Sequence, residues 1–87
     1  MEPAVVNGDW WLVRRSRRLR PGALVLLKHP RRPELSVVKR LVERRAEGWW
    51  VLGDNPDHSE DSRQFGTVPE DLIVGRLILR YRPLLRG

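Results

Sequence analysis

No apolar stretch in this chain is long. Each runs for a few residues and then meets a charged residue, Gly or Asn. Runs of that length, rich in β-branched and aromatic residues and bounded by turn formers, read as strands rather than helices. Asn7-Gly8-Asp9 is turn-like, and WWLVRR over 10–15 follows it as a strand. Pro21-Gly22 marks a turn before ALVLLKH over 23–29, whose apolar run predicts a buried strand. Pro30 and Pro33 bracket a polar turn. LSVVKRLVER over 35–44 reads as the next strand, with Val37, Val38 and Val42 favouring the pleated state. Ala46-Glu47-Gly48 suits a hairpin turn, and WWVLG over 49–53 returns. Pro69 to Leu72 predicts one short helical turn with Pro at an early position. IVGRLILRYR over 73–82 is the last strand, ended by Pro83. The expectation is an all-β fold: a small, curved antiparallel sheet or partly open barrel, in one domain over residues 1–87.

The 87 residues hold no cysteine, so there is no disulfide framework and no thiolate metal site. His29 and His58 stand far apart without a ligand pattern, which argues against zinc, and no cofactor or metal is expected. No apolar run approaches the ~18 residues of a membrane helix, and no signal-peptide pattern is present. The net charge is +6, densest in RRSRRLR over 14–20. That run is first a solvated loop and second a contact for anionic lipid headgroups. No recognition-helix pattern or nucleic-acid motif accompanies it, so no nucleic-acid partner is expected. Trp10 and Trp11 form an apolar edge suited to a membrane interface. Cytoplasmic and membrane-associated locations both stay open.

The run GDNPDHSEDSRQFG, 53 to 66, follows the apolar WWVL directly. Gly53, Asp54, Asn55, Pro56, Ser59, Asp61, Ser62, Arg63 and Gly66 crowd into one loop. An ordinary turn uses two to four such residues. So many polar groups at close quarters require pairing, and charge-assisted Asp–Arg bonds would supply it. A long patterned loop on a small scaffold is a place for function.

Set beside VVKR over 37–40 and MEPAVVNGDWWLV over 1–13, the loop resembles the catalytic core of the type I signal peptidases, serine endopeptidases with a Ser/Lys dyad. In that family a strand carrying the lysine is followed by GDN-x-x-x-S-x-D-S-R-x-x-G-x-V. Gly53, Asp54, Asn55, Ser59, Asp61, Ser62, Arg63, Gly66 and Val68 match it. Self-cleaving SOS repressors share the VKR segment but lack the loop. The thirteen residues between Lys39 and Gly53, and the ending VGRLILRYRP, resemble a compact branch, the nickel-type superoxide dismutase maturation proteases. The mitochondrial inner-membrane peptidases are similarly compact.

The resemblance implies that Lys39 is the general base. A lysine can serve so only when neutral, and desolvation disfavours its charged form. By strand alternation Lys39 points with Val37 and Leu41, on an apolar face. Its plain alternative is a lysine whose stem lies on apolar surface while its amine reaches water. The resemblance further implies that Ser59 orients Lys39. Arg40 with Asp54, and Asp61 with Arg63, become ion pairs that hold the loop against the lysine strand. Asn55 and Ser62 tie down backbone. Met1, Val5, Val37 and Val38 would line the pocket next to the cleavage site, and Trp11, Leu26 and Val38 the pocket two residues further out. Plain core packing is the alternative for all six. An extended precursor with small residues at P3 and P1 would bind by strand addition. To set Lys39 close to the serine that would precede Met1, strand pairing would have to bring residues 1 to 5 alongside 35 to 39.

In the family the nucleophilic serine immediately precedes the methionine of S-M-x-P. This sequence begins Met1-Glu2-Pro3, so the serine and the second oxyanion donor would lie before Met1. The expectation is a core truncated just after the nucleophile and inactive in this form. Ser16 and Ser36 are poor substitutes; Ser36 faces the opposite side of the strand from Lys39. A chain that cuts a leader or propeptide is thus set against a non-catalytic basic module binding peptide or nucleic acid.

Overall fold

A computed structural model describes the backbone of residues 2–6, 9–15, 18–54 and 60–81, and the side chains of 12–15, 18–54 and 60–78. The fold is all-β. Six strands form one sheet in the order β1-β2-β6-β3-β4-β5: β1 Glu2–Val6, β2 Asp9–Arg14, β3 Leu24–His29, β4 Arg32–Arg45, β5 Gly48–Leu52 and β6 Ile73–Tyr81. Every pairing is antiparallel. The sheet is open, with β1 and β5 at its edges.

The strands fall where short β-branched runs stand between turn formers. Two details differ from the sequence reading. Pro33 lies inside β4 rather than closing a turn, because β4 begins at Arg32. The β3–β4 register jumps there: Lys28 faces Ser36 while His29 faces Arg32. The intervening stretch lacks β3 partners, so the N–H missing from proline is not required. A second element escaped the sequence reading. The single turn of helix α1, Ser62–Phe65, lies inside the polar loop. Its sequence signal is Asp61-x-x-Gln64, a capping-box spacing that sits before Phe65.

The core occupies one face of β3, β4 and β5. Val25, Leu27, Leu41, Trp49, Val51 and Val68 are buried there, with Val37, Phe65, Leu72 and Ile73 packed against them. Loop residues therefore form a second layer over the sheet. The outer edge of β5 is closed by the same layer. Trp49 N–H donates to Val68 O at 2.8 Å and Val68 N–H returns to Trp49 O at 2.8 Å. Val51 N–H donates to the buried Ser62 Oγ at 2.8 Å. An edge whose outward amides are satisfied cannot recruit another strand. Gly48 makes this fit possible: its φ is +142°, and a Cβ there would collide with Val68 O.

Candidate active site

Lys39 sits mid-strand in β4, opposite the fully buried Val25 and between Val37 and Leu41 on the core face. Cross-strand partners in an antiparallel pair share a face, so the lysine stem lies on apolar surface. Only 5% of Lys39 is exposed. Burial pushes its ammonium below the usual lysine range, while Asp61 first and Glu60 second pull it back less strongly. Desolvation thus outweighs two carboxylates.

Those carboxylates belong to the loop that covers the core face. Asp61 is the N-cap of α1 and is fully buried. It accepts from Arg63 N–H at 3.0 Å, Arg63 Nε at 2.9 Å, Arg63 Nη2 at 2.8 Å and Gly53 N–H at 3.1 Å. The Arg63 guanidinium and these amides hold the Asp61 carboxyl down to about 2. Asp61 N–H donates to Gln64 Oε1 at 2.9 Å, completing the cap. Asp61 and Arg63 therefore staple the two ends of the loop, Gly53 and α1, to each other. They do not grip the lysine strand, as the sequence reading expected, because two positions of separation let Arg63 fold back on its own cap.

The grip on the lysine strand comes from Arg40. Its Nε and Nη2 donate to Asp54 Oδ1 and Oδ2 at 3.0 and 2.9 Å, and its Nη1 donates to Gly22 O at 2.8 Å. Arg40 follows Lys39, so it lies on the opposite face, with a half-exposed head. Its guanidinium and the loop start thus lock together from outside while Lys39 is enclosed from inside.

A buried histidine joins the same region. His29 Nδ1 accepts from Arg31 N–H at 3.1 Å, so Nε2 carries the proton and donates to Glu60 Oε1 at 3.2 Å. Phe65 meets its ring edge-on at 5.1 Å. Sequence reasoning weighed His29 only as a zinc ligand. Thirty-one residues separate it from Glu60, and no local pattern signals that contact.

The open edge of β4 lies beside this cluster. Among the described residues, no strand pairs with Arg32–Lys39 on the side away from β3, since β5 begins its pairing at Arg40. Leu41 N–H donates to Ala23 O, and Leu41 O accepts from Gly22 N–H. By alternation Val37 and Lys39 also turn their backbone toward β3, and Ser36 and Val38 turn theirs to the open edge. Val38 faces Leu26, which is buried at 6% exposure, on the side of the sheet opposite Lys39. Val37 shares the face of Lys39. Val37 and Val38 therefore do not point into one pocket, because adjacent strand residues point apart.

The first strand also differs from expectation. Residues 2–6 pair with 9–13 in a tight hairpin, not with 35–39. A local hairpin closes a far shorter loop than pairing across ~30 residues. β1 and β4 nonetheless come within 8 Å of each other, Cα to Cα. Met1, Asn55 and Ser59, and the side chains of Val5 and Trp11, lie outside the described residues.

Residues 45–82, which include the whole GDN–DSR loop, match the family described as signal peptidase, peptidase S26. The mitochondrial inner membrane protease subunit 1 of Xenopus tropicalis is 31% identical over 97% of this chain and 65% of its own length. Both findings support the type I signal peptidase family for this chain. The human subunit 1 is 27% identical over the same shares. Signal peptidase IB of Staphylococcus aureus is 54% identical, but over 38% of this chain and 17% of its own length. The chain thus spans less than two thirds of the length of these relatives. No solved structure matches it. Among the described residues, no helix is long and apolar enough to cross a membrane.

Proposed function

We propose that this chain is the base-bearing core of a Ser/Lys endopeptidase that removes a leader or propeptide after a small residue. The observation that carries the reading is the buried Lys39, set on an apolar face with its proton affinity lowered by burial. A neutral amine in that setting takes the proton of a serine hydroxyl as the oxygen attacks the scissile carbonyl. It then returns the proton to the leaving amine, and water releases the acyl group by the same route. Ser59 orients the amine toward a nucleophilic serine, which the family pattern sets immediately before the methionine that Met1 matches. The open edge of β4 supports binding by strand addition, with Ser36 and Val38 offering backbone groups to an extended precursor. By the family match, Leu26 and Val38, which are cross-strand partners, would floor the pocket for a small side chain such as Ala at P3.

The short link between Lys39 and Gly53 supports the compact, nickel-type superoxide dismutase maturation branch. The basic run over 14–20, with Trp10 and Trp11, supports contact with an anionic membrane surface. Residues 1–87 alone should not cleave a precursor peptide bearing Ala at P3 and P1. The same chain extended at its N-terminus through a serine and its upstream segment should cleave it, and Lys39→Ala should then reduce turnover by several orders of magnitude. Turnover by the extended chain that survives Lys39→Ala overturns the reading. Comparing a nickel superoxide dismutase precursor with a mitochondrial-type precursor tests the branch.

A further inference from the structure

Residues 60–65 touch two strands that are not neighbours. At β5, Ser62 Oγ accepts from Val51 N–H at 2.8 Å and Asp61 Oδ2 accepts from Gly53 N–H at 3.1 Å. At the far end of β3, His29 Nε2 donates to Glu60 Oε1 at 3.2 Å, and the His29 ring meets Phe65 at 5.1 Å. In the turn that follows, Arg31 Nη2 donates to Gln64 O at 2.8 Å. β4 lies between β3 and β5. A segment tied to both therefore crosses β4, and Phe65, packed against the core cluster, puts the crossing on the core face.

The crossing starts at the level of the lysine. Leu52 pairs with Arg40, so Gly53, one residue on, comes level with Lys39. Val25 pairs with Lys39, and His29 stands four residues further along β3, about 13 Å away at strand spacing. Residues 60–65 thus run obliquely over the positions of Lys39 and Val37, which accounts for a lysine that is only 5% exposed. The two ends of this segment are fastened differently. Asp61 and Ser62, at the β5 end, are fully buried. At the β3 end Glu60, Gln64 and Arg31 are exposed. A segment opens first where water competes for its hydrogen bonds.

We propose that His29 and Arg31 are positioning residues that hold residues 60–65 across β4 as a strap keeping water from the Lys39 amine. The catalytic consequence rests on reading Lys39 as the base; the seal itself does not. With the strap down, the amine sits in surroundings that favour its neutral form. With the β3 end released, the buried β5 end keeps the strap attached, water reaches the amine and the ammonium is favoured. The two ties belong to one turn, since His29 Nδ1 accepts from Arg31 N–H at 3.1 Å.

Lys28 and Lys39 are the two lysines of the chain, and Lys28 is exposed. Acylation of the 87-residue protein by an amine-reactive ester, followed by peptide mass spectrometry, therefore reads the seal against an internal standard. Native Lys39 should react far more slowly than Lys28. His29→Ala and Arg31→Ala should each speed Lys39 about fivefold, the factor by which one lost hydrogen bond favours an open state, and leave Lys28 unchanged. His29→Gln keeps an N–H donor for Glu60; it should restore most of the protection and serves if the alanine variant folds poorly. Val13→Ala removes buried volume in β2, which β6 and β3 separate from β4, and should leave Lys39 protected. A Lys39 rate unchanged by both His29→Ala and Arg31→Ala overturns the proposal, as does an equal rise in Val13→Ala. In the serine-extended chain the same two variants should lower kcat and leave KM near native. An unchanged kcat beside faster acylation overturns the positioning role. If Lys39 is unsealed in the variants while the native extended chain cleaves nothing, the strap stands and the peptidase reading fails.

Discussion

Two aspartate–arginine pairs brace the same loop, and they are unequal. Asp54 with Arg40 and Asp61 with Arg63 are both bidentate, with matching bond lengths of 2.8–3.0 Å. The Asp54 side chain is 59% exposed and the Asp61 side chain 0%. Water competes for the first pair and screens it. The second has lost its water and replaced it with backbone amides. Removing one member of an exposed pair returns its partner to solvent. Removing Asp61 strands Gly53 N–H and Arg63 N–H with no acceptor. Geometry alone does not rank ion pairs; the ranking follows from which groups are left without a partner.

The largest expected effect is that of Asp61→Ala. It should destabilise the protein by about 2–4 kcal/mol in chemical denaturation, since buried donors lose a charged acceptor. A loss no larger than that of Asp54→Ala would erase the contrast between the pairs.

Acid sharpens the same comparison. The folded pKa of Asp61 is about 2, below its ordinary value of 3.8. Its stabilisation is therefore complete above about pH 4 and is lost as the pH falls toward 2, amounting to ~2 kcal/mol. Asp54 is also lowered, through its hydrogen bonds to Arg40, but its exposure discounts the consequence. Stability measured from pH 5 to 2 should fall less steeply in Asp61→Asn than in the native chain, whereas Asp54→Asn should follow the native curve closely.

The smallest effect is that of Asp54→Ala itself. It should cost under ~1 kcal/mol in low salt and less in high salt, as screening removes an exposed pair. A salt-insensitive loss would mean that the Arg40 link to Gly22 O depends on Asp54 and is not an independent tie.

The same distinction explains which parts of the site were legible in the sequence. The Arg40–Asp54 pair and the backbone role of Ser62 follow from the loop motif and its place after β5. Lys39 pointing with Val37 and Leu41 follows from alternation along a strand. The partner of Arg63 was also legible, but its effect was not. Whether a pair two residues apart grips a neighbouring strand or staples its own loop depends on how α1 caps. The hairpin of β1 with β2 is encoded locally, by the turn-forming Asn7-Gly8 between two short apolar runs.

By itself the sequence determined the strand-and-turn order, the polarity of the loop and the face on which Lys39 lies. These depend on side-chain alternation and on Pro, Gly and Asn at turns, which act over a few residues. Only the tertiary structure decided that the lysine is sealed from water, that Asp61 is buried while Asp54 is not, and that His29 reaches Glu60. Each of these is set by packing between segments far apart in the chain. Burial is the sum of all neighbours that exclude water at a point, and no short window of sequence contains that sum.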